Sequence, residues 1–517
     1  MSGTRFSRRT FLATASAMSA AALAGPYARR AHAQDKRVLN ARLREDIQIL
    51  DPAYMVGGVE VDVQDAVMPS LAEYSYETGQ LGWKPTPYVS QLGQRDDGVN
   101  IDFTLKPGFQ WTNGFGELTA EDVKYSFERM LDGEWSGNWE VLDHVDITDT
   151  YSGTIVLKRP FVPIWLNTLA GNTGLLVCKK ATESVGGKYT TQIPATCGAY
   201  LYEWTPKQRI VFTRNPEWTG PKPDYDQINY IEIVEDLAAE LAYERGEVDI
   251  TNITPETYAR YTQSPPPDTK VRVAGALQYM WMGMNTEHPK LKDSRVRKAI
   301  QHAVNVDSIL QGAYSGVTER AYGIVPPGLP GKRNATKIDY NPEKARQLLQ
   351  DAGVSGLELD LRTLNIQARM LAAQIVQDNL KQVGITVKVI PMDSGPFWDM
   401  GQESKGDAWK DLQLWIMRYG AEVDPFGPFQ WFVKGQVGIW NWERWSDPEF
   451  EDLYQQGLVE TDVAKRSRIY VRMQEIMEDT GAYVWITHEP EVYAHRANLE
   501  PAITPDGNVI FRNFRAV

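Results

Sequence analysis

Residues 99–131 read VNIDFTLKPGFQWTNGFGELTAEDVKYSFERML, and two periodicities meet within them. From Val99 to Leu105 apolar and polar residues alternate, the two-residue period of a strand with one buried face. Lys106-Pro107-Gly108 ends it as a turn. Thr119 then opens a helix. Asp122, three residues on, can reach back to the backbone of the cap, which makes a capping box. Val123, Phe127, Met130 and Leu131 fall on one face of that helix.

The same alternation recurs downstream. Asn341 caps a helix that starts at Pro342, carries an inner stripe of Ala345, Leu348, Leu349 and Ala352, and ends at Gly353. Met370 to Val383 forms another amphipathic helix closed by Gly384, and Ile385 to Ile390 reads as a strand. Ser264-Pro265-Pro266-Pro267, ahead of the strand-like Lys270 to Val273, reads as a stiff surface loop rather than a domain boundary. Helices alternating with short strands over so much of a 517-residue chain predict an α/β protein of two or three domains. No repeat or low-complexity tract interrupts it.

The N-terminus carries an export address. Ser7-Arg8-Arg9-Thr10-Phe11-Leu12 fits the twin-arginine pattern, an apolar run extends to Gly25, and Ala31-His32-Ala33 is a small-x-small cleavage signal. The run is too short for a membrane anchor, which needs roughly 20 apolar residues. The expectation is a signal peptide over 1–33, a mature chain from Gln34 and a periplasmic location. Cleavage removes Arg5, Arg8, Arg9, Arg29 and Arg30 and no acid, which moves the formal charge from −13 to −18. Nucleic acids and anionic membranes need cationic surface, so neither is an expected partner. Cys178 and Cys197 are the two cysteines; in an oxidising compartment they close a short disulfide loop or remain two buried thiols.

Catalytic motifs are missing. There is no phosphate loop and no dinucleotide fingerprint, and Gly312-Ala313-Tyr314-Ser315-Gly316 carries its serine one place late for a nucleophile elbow. His144, His288, His302, His488 and His495 are widely spread and read as surface or satisfied core residues, not metal ligands. No enzyme activity, cofactor or metal is expected. A secreted hydrolase with scattered carboxylates is the alternative from another class.

Five blocks in order carry a resemblance. They are Ile49-Leu50-Asp51-Pro52; Phe103 to Gly114 continuing through Leu118-Thr119-Ala120-Glu121-Asp122-Val123; Cys197-Gly198-Ala199-Tyr200 followed by Arg214-Asn215-Pro216; Asn285 followed by Asp293 to Ile300; and Tyr340 to Gly353. Together they resemble the peptide/nickel class of bacterial ABC substrate-binding proteins, solute-binding family 5. Cys197 and Ala199 depart from that family's G-T-G-P-Y element, which tilts the cysteine pair towards a local disulfide.

The resemblance implies a two-lobed Venus-flytrap fold with an extra domain. Domain I would be discontinuous over 34–78, 195–285 and 488–517, domain II would cover 79–194, and domain III 286–487. It implies a monomer that captures a small organic ligand, a peptide or a peptide-sized solute, and hands it to an ABC permease with its ATPase. An oligosaccharide, opine-like or sugar-phosphate ligand is the alternative within the fold. Peptide-binding relatives have an aromatic-x-A-D element before D-P. Tyr419-Gly420-Ala421-Glu422 followed by Asp424-Pro425 matches it, so Glu422 would meet a ligand amine or else pair with Arg418. Asp424 reads as a cap or turn residue with Pro425. Dipeptide-binding relatives use an arginine ahead of the 370–383 helix; its place falls at Thr363, beside Arg362. The loop after Leu50-Asp51-Pro52 nominates Tyr54, Met55, Val56 and Gly57. Seven tryptophans crowd residues 398–445, and of these Trp398, Trp440 and Trp442 are the first candidates for ligand contact, with Trp415 beside Tyr419.

Overall fold

The first strand of the chain, Val38–Leu43, finds its partners far along the sequence. It runs parallel to Gln227–Glu232 on one side and meets Ile250 through Ala41 on the other. The computed structural model describes residues 36–517 apart from 56–57, 76–80, 275–276, 421–422 and 505. The expected signal peptide, Val56, Gly57 and Glu422 therefore lie outside the described residues.

Three sheets organise the unit Val38–Val517. The seven-stranded sheet runs in the order Tyr200–Thr205, Arg209–Arg214, Gln227–Glu232, Val38–Leu43, Ile250–Asn252, Val492–Arg496, Thr269–Val273. Start, middle and end of the chain thus share one sheet. The five-stranded sheet runs Thr386–Met392, Glu358–Leu364, Leu414–Gly420, Gln278–Met284, Tyr483–Glu489. Gln278–Met284, Leu414–Gly420 and Tyr483–Glu489 read as near-continuous apolar runs because both of their faces are covered, whereas Glu358–Leu364 buries alternate residues and Thr386–Met392 is only partly buried. Met280, Leu414 and Ile416 pack towards Ala372 and Val376 of the helix Gln367–Lys381, while Trp281, Trp415 and Met417 pack into an aromatic core on the other face. The third sheet is antiparallel and four-stranded: Val89–Gln94, Asn100–Leu105, Ser152–Leu157, Leu142–Ile147.

Thr269–Val273 lies in the seven-stranded sheet and Gln278–Met284 in the five-stranded one; Tyr483–Glu489 and Val492–Arg496 reverse that step. The chain therefore crosses from one lobe to the other after Val273 and back again after Glu489. The result is a two-lobed α/β fold, with the four-stranded sheet as an added layer.

Local signals translate as written at several points. The strand Asn100–Leu105 buries alternate residues, and the helix Ala120–Glu128 follows. Asp122 accepts the Thr119 N–H at 2.9 Å, as a capping box requires. Asn341 accepts the Lys344 N–H at 3.0 Å and caps the helix Pro342–Asp351. Gly384, at φ +85°, closes the helix Gln367–Lys381 where a side chain would be strained.

Some expectations shift. Leu131 is exposed, because the last turn tightens to a 3-10 helix over Arg129–Asp132 and rotates it off the buried face. The strand expected to stop at Ile390 continues through Pro391 to Met392. It lies at the sheet edge, where a missing N–H costs no ladder bond. Cys178 and Cys197 are buried and unbonded, so the disulfide is not formed. Both sulfurs sit in one apolar cluster, where free cysteine packs as a small hydrophobe. Burial pushes the Cys178 thiol up to about 11 and raises Cys197 as well.

Candidate ligand-binding site

A cavity of about 700 Å³ opens where three parts of the chain converge. Met55, Gly58, Val61, Tyr74, Asp506 and Asn508 line it from the lobe of the seven-stranded sheet and its adjoining segments. Trp135, Asn138, Asn167, Gly171 and Asn172 come from the added layer. Trp398, Arg418, Tyr419, Gly420, Val423, Trp431 and Trp440 come from the other lobe.

The last group builds an aromatic wall. The Trp398 and Tyr419 rings lie 24° from parallel with centroids 6.1 Å apart. Trp440 stands edge-on to both, at 6.4 and 6.1 Å, and Trp431 meets Trp440 at 6.2 Å. The Tyr419 hydroxyl donates to the Trp440 carbonyl at 3.2 Å, which ties the wall to the 440–445 turn. These separations leave no gap between rings, so the wall offers faces and edges to a ligand rather than a cage. Behind it the fully buried Glu443 accepts a hydrogen bond from Trp281 Nε1 at 2.7 Å. Desolvation pushes its carboxyl up to about 8, so it is largely protonated at neutral pH.

Charge is unevenly shared at one end. Arg418 Nη1 lies 2.8 Å from Glu489 Oε2, and Arg369 Nη2 lies 3.8 Å from the same oxygen. The Tyr314 hydroxyl donates to the other carboxylate oxygen. Burial pushes Glu489 up, but Arg418 and Arg369 outweigh it and hold the acid below its ordinary range. Two guanidiniums share one carboxylate, which leaves a net positive charge. The Arg369 side chain is 6% exposed and its Nε has no partner; Arg418, 36% exposed, is the member that faces the cavity.

Of the candidate residues, Met55, Trp398, Arg418, Tyr419 and Trp440 come together around this cavity. Tyr54 does not line it; its ring carries the Lys188 ammonium 3.6 Å from the centroid. Trp415 and Trp442 are core residues. Trp415 precedes Tyr419 by four residues, about 13 Å along the strand, and is fully buried. The Trp442 indole is wedged against Gly401, where even a Cβ would approach to 2.2 Å. Arg362 pairs through its backbone with Trp415 and Ile390 one strand away, and it does not line the cavity. The arginine that reaches the charged cluster is Arg369, in the first turn of the following helix. Arg418 pairs with Glu489, 71 positions away, and no local pattern announces that contact. Asp424 is structural: its carboxylate takes both Arg466 guanidinium nitrogens at 2.7 Å and caps Phe426 N–H at 2.9 Å. Its own N–H donates to Asn167 Oδ1 at 2.9 Å, a contact between the added layer and the second lobe.

Sequence reading missed Trp135, Tyr74, the asparagines at 138, 167, 172 and 508, and Asp506. Single residues on short strands, single helical turns and loops carry no usable periodicity; only the fold collects them.

The comparisons agree with this geometry. A relative in Escherichia coli strain K12, described as a probable D,D-dipeptide-binding periplasmic protein DdpA, is 26% identical over 457 residues, covering 85% of this chain and 86% of that protein. The ABC transporter substrate-binding protein CtaP from Listeria monocytogenes superposes with a TM-score of 0.80 at 19% identity, over 93% of this chain and 100% of that one. A dipeptide-binding protein from Pseudoalteromonas sp. SM9913, solved with Met-Leu, gives 0.79 at 19% identity with the same coverage. The profile of the bacterial extracellular solute-binding proteins, family 5, matches residues 66–448, well over half of the chain. The chain therefore belongs to the bacterial extracellular solute-binding proteins of family 5, transport binding proteins rather than enzymes.

Proposed function

We propose that this protein is the periplasmic substrate-binding component of an ABC importer, and that it captures a peptide or peptide-sized organic solute bearing an anionic group. The observation that carries the reading is the Arg369–Glu489–Arg418 cluster at the wall of a cavity between lobes. A buried excess of positive charge is costly until an anion joins it. Such a ligand supplies that anion and touches both lobes, so it favours their approach. The aromatic wall packs against the ligand's apolar part and equally suits a ring-bearing opine-like or sugar ligand, which is the second reading.

In this reading the signal over 1–33 sends the protein out by the twin-arginine route. The mature monomer then docks on the permease and ATPase. The expected domains, 34–78, 195–285 and 488–517 for domain I, 79–194 for domain II and 286–487 for domain III, are shifted at two bounds in this reading, because Gln278–Met284 and Tyr483–Glu489 pair within the five-stranded sheet of the second lobe. Glu422 lies in sequence between the cavity-lining Gly420 and Val423 and is retained as a ligand contact. Natively purified protein, denatured and analysed by mass spectrometry, should release a small molecule with a carboxylate or phosphate. A released ligand without an anionic group would overturn the reading.

A further inference from the structure

The cavity wall facing the cationic cluster carries charge of the opposite sign. Asp506 lines the cavity from the C-terminal segment, on the lobe of the seven-stranded sheet, and its side chain is exposed to it. Its turn runs from Thr504 to Asn508, held by Asn508 N–H donating to Thr504 Oγ1 at 2.8 Å. Within that turn the Asp506 carboxylate receives Asn508 Nδ2 at 3.0 Å. No lysine, arginine or histidine among the described residues pairs with it. Two arginines on this lobe are committed elsewhere: Arg44 lies 3.5 Å from Glu491, and Arg512 pairs with Asp65 and Glu73. A carboxylate with no cationic partner among the described residues thus faces the cavity from one lobe, and from the other faces Arg418, which must share the single Glu489 carboxylate with Arg369.

We infer that Asp506 is the subsite for a cationic group of the ligand, so that the solute is dipolar, with its anionic end at Arg418 and its ammonium or guanidinium end at Asp506. This rests on the capture role proposed above. Asn508 and Asn172, which also line the cavity, can accept from the same cation through their amide oxygens. A dipolar ligand bridging opposite charges on two lobes stabilises their approach at both ends, whereas a simple anion would do so at one. The ordinary role of an aspartate here is to hold its own turn. Asparagine serves that role as well, so Asp506→Asn separates the two.

The test uses the mature chain, stripped of bound molecules, with three probes: Met-Leu, N-acetyl-Met-Leu and Met-Leu amide. Calorimetry gives affinities, and mass spectrometry identifies whatever the native protein releases. The expected result is that N-acetyl-Met-Leu binds at least about tenfold more weakly than Met-Leu. Asp506→Asn should melt where the wild type does and erase that difference. Equal binding of Met-Leu and its acetylated form would overturn the cationic subsite and leave solute capture standing. So would a difference that survives in Asp506→Asn, or a released native ligand without a basic group. Failure of all three probes, together with no released molecule, would overturn both.

Discussion

Arg418 and Glu489 meet at 2.8 Å, one on the strand Leu414–Gly420 and the other at the last residue of Tyr483–Glu489, just before the chain returns to the first lobe. The contact joins a cavity-lining cation to the segment that connects the lobes. Because Glu489 also serves Arg369, its removal and the removal of Arg418 have unlike consequences.

Glu489→Gln strands Arg369 and weakens the hold on Arg418. Taking one partner from a buried ion pair typically costs about 3–5 kcal/mol, and the part carried by Arg418 is smaller because water screens it. A fall in melting temperature of several degrees without ligand is expected. Arg418→Ala leaves the Arg369–Glu489 pair intact, so the apo protein should melt within a few degrees of the wild type while ligand affinity drops about 30-fold or more. Chemical denaturation and calorimetry read the two quantities separately.

Glu443 gives the protein a pH dependence of definite sign. Its carboxyl is pushed up to about 8 by desolvation, against an ordinary value of 4.5. Between those values the folded state holds a proton that the unfolded state has released. Stability therefore falls as pH rises through this window, by up to about 1.4 kcal/mol per pH unit. Glu443→Gln keeps an acceptor for Trp281 and cannot ionise. Stability curves at pH 5, 7 and 8.5 should show the variant level with the wild type at pH 5 and gaining on it towards 8.5. Parallel curves would mean that Glu443 ionises freely.

Asp424→Ala is expected to cost about 3–5 kcal/mol, because it leaves the buried Arg466 guanidinium without its bidentate partner. It also removes the cap on Phe426 N–H. Asp424→Asn keeps that cap and should recover only a minor part of the loss. Urea midpoints for the two variants check this.

Cys178 and Cys197 should both remain thiols and stay silent in the native state. Burial raises both sulfurs above the free-cysteine range, so little thiolate is present at pH 7. A thiol reagent should find no reactive group in folded protein and two after denaturation without reductant. None after denaturation would restore the disulfide.

Legibility followed locality. The strand Asn100–Leu105, its turn and the capped helix Ala120–Glu128 are encoded within thirty residues, and each cue acts on its own neighbours. The aromatic crowding was visible too, but not which rings face the cavity. Strand alternation puts Trp415 and Tyr419 on one face, and only position along the strand separates the fully buried ring from the half-buried one at the cavity. Trp442 is decided by Gly401, whose missing side chain makes room for the indole. The partners of Arg418 and the place of Asp506 depend on contacts across the lobes, which no window of sequence contains. Arg362 was favoured by proximity to a family position; the fold presents Arg369, one helix turn inside the next element, instead.

The most direct measurement is a structure of the protein with its natively co-purified ligand. The account predicts a dipolar solute in the cavity between Met55, Trp398, Tyr419 and Trp440, with an acid group within hydrogen-bonding distance of Arg418. A ligand bound elsewhere, or bound in this cavity with Arg418 untouched, would contradict it.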